Sequence, residues 1–158
     1  MRLDWNDICA RAAKFADEWK DAHYERGETQ TFYNEFFELF GVTRRRLASF
    51  EYGVKLPDNK RGFLDLFWKG KLLIEQKSKG RNLTPARRQA LDYFPGLKED
   101  ELPRYILLSD FQSFELYDLD IDRLNRTADN AMLHTYVPAP VLLRLAYQSY
   151  ISRRHHAI

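Results

Sequence analysis

Residues 62–77 constrain the fold more than any other stretch of this chain. Two largely apolar runs, 62–68 and 72–77, are parted only by Lys69-Gly70-Lys71. The chain must therefore reverse within a few residues, and the runs pair as a hairpin. The second run passes from Leu72-Leu73-Ile74 into Glu75-Gln76-Lys77, and the first carries Asp65. Adjacent strands thus deliver two carboxylates and a lysine to one region of a sheet. Charges at the end of a buried strand cost free energy unless they are paired or bind a cation. Hydrolysis of phosphodiesters with a divalent metal calls for this set: carboxylate oxygens hold a hard cation such as Mg²⁺, and a lysine orients water or offsets charge on phosphate oxygens.

The arrangement carries a geometric condition. Glu75 and Lys77 are two apart on a strand and share a face. Asp65 lies ten positions before Glu75. A two-residue turn would pair 68 with 71 and put the carboxylates on opposite faces. An odd turn of about three residues around Gly70, or a bulge, puts them on the same face, with glycine free to take a left-handed conformation.

The surrounding pattern places the hairpin in an α/β domain. Ile8, Ala12, Phe15, Ala16 and Trp19 recur at helical spacing over 4–24, with Asp4 as cap and Asp7 in the first turn. Cys9 reads as a small hydrophobe of that helix. After Gly27, Thr29 or Thr31 caps a second helix over about 31–40, ended by Gly41 and burying Phe32, Phe36, Leu39 and Phe40. Residues 45–55 alternate as a half-buried strand, Pro57–Lys60 turn, Thr84-Pro85 opens a helix to about Phe94, and 104–109 and 114–119 form two more strands. The order ααβββαββ argues for an α/β fold with a mixed central sheet flanked by helices. A last helix is expected from Val141.

Composition bounds the rest. The 158 residues suit a single domain, 1–158, with a helical part over about 4–40, a core over about 45–119 and a C-terminal helical segment over about 120–158. A net charge of +2 does not announce nucleic acid, so any DNA-binding surface must come from local clusters of Arg and Lys. A lone cysteine permits no disulfide framework and fits a reducing cytoplasm. No apolar run approaches the roughly 20 residues of a membrane span.

The bare Asp…Glu-x-Lys pattern is weak, because the chain holds a decoy. Glu18-Trp19-Lys20 has Asp7 upstream, but it sits on a helix, where residues two apart do not face each other. Strand placement lifts the second copy, as do Gly62 three residues before Asp65 and the pair Gln89 and Tyr93, four apart on the next helix. A glutamine in that otherwise apolar stripe needs polar partners: either sheet backbone or, as its neighbours favour, the metal site or DNA phosphate. Glu35, at the edge of the second helix's buried stripe, is a further candidate ligand, and Glu51, on the polar side of its strand, ranks below it. Arg44 and Arg45, Lys79 and Arg81, and Arg87 and Arg88 cluster around the site as candidate phosphate contacts.

Gly62-Phe63-Leu64-Asp65, Glu75-Gln76-Lys77 and Gln89-Ala90-Leu91-Asp92-Tyr93 resemble the PD-(D/E)xK nuclease superfamily, in its branch with a Gln-x-x-x-Tyr helix. Over about residues 28–119, the strings beginning at Phe37, Gly62 and Gln89 are similar to the N-terminal nuclease region of MmeI-like type IIG (IIL) restriction–modification enzymes. That resemblance implies a restriction-endonuclease-like core and Mg²⁺-dependent cleavage of double-stranded DNA, with one or two ions. It implies Asp65, Glu75 and Lys77 as the catalytic set; helical spacing adds Gln89 to that set and Glu35 to the metal ligands Asp65 and Glu75. One such site cuts one strand, so a double-strand break calls for a homodimer on DNA or two events. No methyltransferase or target-recognition region appears in these 158 residues. The rival reading is a non-catalytic DNA-binding or assembly remnant of such an enzyme; a nuclease for RNA or single strands is a weaker third.

Overall fold

The computed structural model describes residues 3–120; the C-terminal helix expected from Val141 lies outside them. Helices α1 (Trp5–Glu18) and α2 (Glu25–Glu38) precede strands β1 (Ser49–Lys55), β2 (Arg61–Trp68) and β3 (Leu72–Gln76). Helix α3 (Thr84–Asp92) then leads to β4 (Tyr105–Ser109) and β5 (Phe114–Asp118). The order is the ααβββαββ expected, and the fold is α/β with the mixed, helix-flanked sheet of a restriction-endonuclease-like core. The five strands lie side by side in chain order, antiparallel except for β3 and β4. A parallel pair cannot be joined by a tight turn, and α3 fills the crossover.

Apolar side chains divide between the two faces of the sheet. Ile8, Phe15, Phe32, Tyr33, Phe36 and Phe37 of α1 and α2 cover Leu66, Ile74 and Leu107 on one face. Ala86, Ala90 and Tyr93, from α3 and its end, cover Leu64, Leu73, Ile106 and Leu108 on the other. Phe32 and Tyr33 have no exposed surface, and burial of an aromatic of this size contributes roughly 3 kcal/mol.

Local chemistry explains most boundaries and the departures from expectation. Asp4 caps α1 and exchanges hydrogen bonds with Asp7 in a capping box. Helix α1 stops at Glu18 rather than 24. Helix α2 starts at Glu25, not near 31, and neither threonine caps it. Gly27 is tolerated in its first turn because Glu28 reaches back, its Oε2 accepting the N–H of His23 at 3.0 Å and of Tyr24 at 2.6 Å. Gly41, at φ +69°, ends the region as expected. Strand β1 starts at Ser49 because Arg44–Arg46 form a short 3-10 turn. Cys9 is exposed, not a packed hydrophobe; Ile8 takes the buried position beside it.

The turn between β2 and β3 is odd. Trp68 pairs with Leu72, leaving three residues between them, with the Lys71 N–H donating to the Trp68 carbonyl at 2.9 Å and Gly70 at φ +67°. In this register Leu66 faces Ile74 and Phe67 faces Leu73, which carries Asp65 toward Glu75. The β2–β3 ladder ends at Leu66–Ile74, whereas β3 continues beside β4 to Gln76–Ser109. Strands β2 and β3 therefore part at Asp65. Glu51 of β1, where register would set it across from Asp65, adopts φ +48°, a conformation rare outside glycine. On one side of this point Phe50 and Leu66 pack toward α1 and α2; on the other, Tyr52 and Leu64 pack toward α3.

Candidate active site

Asp65 occupies the fork. Its Oδ2 accepts the backbone N–H of Gln76 at 2.7 Å, taking over a donor at the point where the partner strand has left. Burial pushes the Asp65 carboxyl above its ordinary range, against the Gln76 hydrogen bond and the charge of Lys77. Glu75 is fully buried. Its Oε2 lies 3.4 Å from Lys77 Nζ, and its Oε1 has no hydrogen-bond partner. Burial, then the charge of Asp65, pushes Glu75 up to about 8, with Lys77 acting in the opposite direction.

A second buried carboxylate shows what a purely structural acid does here. Asp110 accepts the N–H of Gly80 at 3.0 Å, of Gln112 at 3.2 Å and of Ser113 at 2.8 Å, and the Ser113 hydroxyl at 2.7 Å. Burial pushes its carboxyl up, yet the bonds from Ser113, Gly80 and Gln112 outweigh that and hold it below its usual value. Asp110 is saturated by donors. Glu75 instead keeps one oxygen without a partner and has the charge of Asp65 beside it, a need that a hard cation would meet.

Around the pair, Tyr33 of α2 donates from its hydroxyl to Gln76 Oε1 at 2.6 Å, and Gln76 Nε2 donates to the Lys77 carbonyl at 2.9 Å. The middle residue of Glu75-Gln76-Lys77 is thus pinned from the opposite face while its backbone holds Asp65. On α3, Gln89 Nε2 donates to the Tyr93 hydroxyl at 2.9 Å. Burial raises Tyr93, Gln89 lowers it, and the charges of Glu75, Asp65 and Lys77 all act on it. A Cβ on Gly62 would clash with the Tyr93 ring, so glycine there is what lets Tyr93 sit against β2.

Other candidates fall elsewhere. Glu35 does not join the pair: its Oε2 accepts the Trp19 indole N–H at 2.7 Å, because its side of α2 faces α1. The acids whose charges act on Asp65 are Glu25 and Glu51, and Glu25 also acts on Glu75. Glu25 Oε2 accepts the Ser78 N–H at 3.1 Å. Sequence reading missed Glu25 because Gly27 reads as a helix break, whereas the helix in fact begins at Glu25. It missed Tyr33 because that residue sat unremarked in an aromatic stripe, although a buried tyrosine needs a polar partner. Among the described residues, no three His, Cys, Asp or Glu side chains gather closely enough to hold a metal ion; the acidic core of the site is the pair.

The basic residues divide. Arg44 donates to Asn34 at 3.0 Å and the Ala48 carbonyl at 2.8 Å and lies 4.1 Å over the Phe50 ring, so it braces the start of β1 and is not free for phosphate. Arg87 stacks 4.6 Å over Tyr117. Arg45, Lys79, Arg81 and Arg88 are exposed and make no ion pair among the described residues. No described helix is long and apolar enough to cross a membrane.

Compared with known families, residues 10–151 match the family described as MmeI, N-terminal domain. No curated protein and no solved structure matches the chain.

Proposed function

The chain belongs to the MmeI N-terminal domain family and is thereby related to restriction–modification enzymes; from that premise we propose that it is a Mg²⁺-dependent endodeoxyribonuclease domain of the PD-(D/E)xK type. The observation that carries this reading is the buried Glu75 carboxylate, with one oxygen unpartnered, beside Asp65 and 3.4 Å from Lys77 Nζ. Such an acid destabilises the fold unless a ligand uses it. Asp65 and Glu75 fit a hard cation that keeps several of its waters. When bound, Mg²⁺ supplies Lewis-acid polarisation of the phosphate and a water of lowered pKa.

The chain's own residues do the rest. Lys77, held by Glu75, presents its ammonium to the attacking water or to the charge that builds on phosphate oxygens. Gln76 fixes Asp65 through its backbone N–H. Gln89 orients the Tyr93 hydroxyl at the wall of the site. Of Glu25 and Glu35, it is Glu25 whose charge acts on both Asp65 and Glu75. Arg45, Lys79, Arg81 and Arg88 contact the phosphates of duplex DNA, and a double-strand break takes two copies or two events.

The test is supercoiled plasmid with Mg²⁺ or EDTA. Wild-type protein nicks or linearises it only with Mg²⁺, and Lys77→Ala, folded by circular dichroism, does not. Cleavage undiminished in that variant would sink the mechanism; salt-dependent binding without Mg²⁺-dependent nicking by the wild type would favour a non-catalytic DNA-binding role.

A further inference from the structure

Beyond Asp65 the sheet narrows to two strands. β1 pairs with β2 out to Lys55–Arg61, while β3 pairs with β2 only over residues 66–68. The free part of the hairpin is a two-stranded ribbon. Its inner face is committed: Val54 and Leu64 are buried with Ala86, Ala90 and Tyr93, and Gly62 abuts Tyr93. Its outer face is not. Gly53, Lys55, Arg61 and Phe63 are all exposed there, in the pairs Gly53–Phe63 and Lys55–Arg61. Phe63 is 57% exposed, an unusual place for a phenylalanine, and its ring lies over Gly53, 3.6 Å from where a Cβ would stand. Lys60 extends from the tip. Neither Lys55, Lys60 nor Arg61 makes an ion pair among the described residues. An open groove of about 540 Å³ is lined by Gly53, Val54, Lys55, Asn59, Arg61 and Phe63.

We propose that this outer face is a duplex-DNA contact, in which Lys55, Lys60 and Arg61 bind backbone phosphates and Phe63 packs into the groove between them. The inference rests on the reading that the neighbouring site acts on DNA. A two-stranded ribbon is a shape the major groove admits. Three free cations around one aromatic suit a polyanion better than a protein partner, whose contact core is depleted of charge. Position agrees. Phe63 and Arg61 precede Asp65 by two and four residues on one strand, roughly 7 and 13 Å along it. At about 3.4 Å of axial rise per phosphate of one strand, Arg61 meets the backbone about four nucleotides from the phosphate held at Asp65. The ribbon would then measure where along the duplex the cut falls.

Binding to a labelled duplex in EDTA, across a range of NaCl concentrations, tests this apart from cleavage. Lys55→Ala with Arg61→Ala should weaken binding at least several-fold and reduce the slope of log affinity against log salt by about 2. Phe63→Ala should weaken binding with the slope unchanged, and Arg61→Glu should lose more than the alanine change. All are surface substitutions, with melting curves to establish that each variant folds. Wild-type affinity in all of these variants would overturn the ribbon proposal and leave the nuclease reading intact. A wild-type protein that binds no duplex would overturn both. Unaltered DNA affinity with loss of self-association would assign the face to a second copy of the chain instead.

Discussion

Glu18-Trp19-Lys20 and Glu75-Gln76-Lys77 hold the same acid–x–lysine pattern, and each glutamate has a lysine nitrogen 3.4 Å away: Lys14 for Glu18 and Lys77 for Glu75. The distances are equal and the consequences are not. The side chains of Lys14 and Glu18 are 78% and 51% exposed, whereas those of Lys77 and Glu75 are 21% and 0%. Water screens the first pair, and such pairs contribute about 0–1 kcal/mol. Around the second, water is gone, Asp65 is adjacent and one carboxylate oxygen lacks a partner. Pairing distance does not distinguish a site from a surface; desolvation and the neighbouring charge do.

The most severe way to break the comparison is activity. Glu75→Ala should lower Mg²⁺-dependent plasmid cleavage by about 10²-fold or more, while Glu18→Ala leaves the rate unchanged. Equal losses, or none in either, would mean the buried copy has no special role.

A second contrast is stability against pH without metal. The folded state holds the Glu75 proton up to about 8, and the unfolded state releases it near the ordinary value of 4.5. Between those limits the folded protein binds more protons, so stability falls as pH rises and levels off above about 8. Asp65, also raised, acts in the same direction. Glu75→Gln should flatten most of this decline and melt higher than wild type at pH 8; Glu18→Gln should follow the wild-type curve. A Glu75→Gln curve that declines as steeply as wild type in thermal melts would remove desolvation as the cause.

The smallest effects compare the two polar links that α2 makes. Tyr33→Phe leaves the buried Gln76 Oε1 without its donor, which should cost about 1–3 kcal/mol and lower cleavage as Asp65 loses its fixed support. Glu35→Gln keeps an acceptor for Trp19 and should cost about 0.5 kcal/mol with cleavage retained. Urea melts with plasmid assays separate them. A cleavage loss in Glu35→Gln matching that in Tyr33→Phe would return Glu35 to the site.

Much of the fold was legible because the signals are local. Asp4 and Asp7 cap α1, Gly41 closes the α2 region, Gly70 turns the hairpin, and Thr84-Pro85 starts α3. The α2 start was misread because glycine propensity was weighed without Glu28, whose side chain supplies the cap. Arg44 was read as a phosphate contact because sequence shows its charge but not Asn34, Ala48 and Phe50 around it. Glu35 and Glu25 both lie on α2, and helical periodicity alone cannot say which neighbour each side meets.

The sequence by itself determined that Asp65, Glu75 and Lys77 could meet only across an odd or bulged turn, since side chains alternate between faces along a regular strand. It also determined the order of elements and the hairpin that carries the acids. Tertiary structure alone decided that β2 and β3 part at Asp65, that Gln76 and Tyr33 support the fork, that Glu35 turns to Trp19 while the charge of Glu25 acts on the pair, and that Glu75 is dry. Those outcomes depend on which helix covers which face and on how much water it excludes. Solvation is a property of the whole assembly, and no short string of residues encodes it.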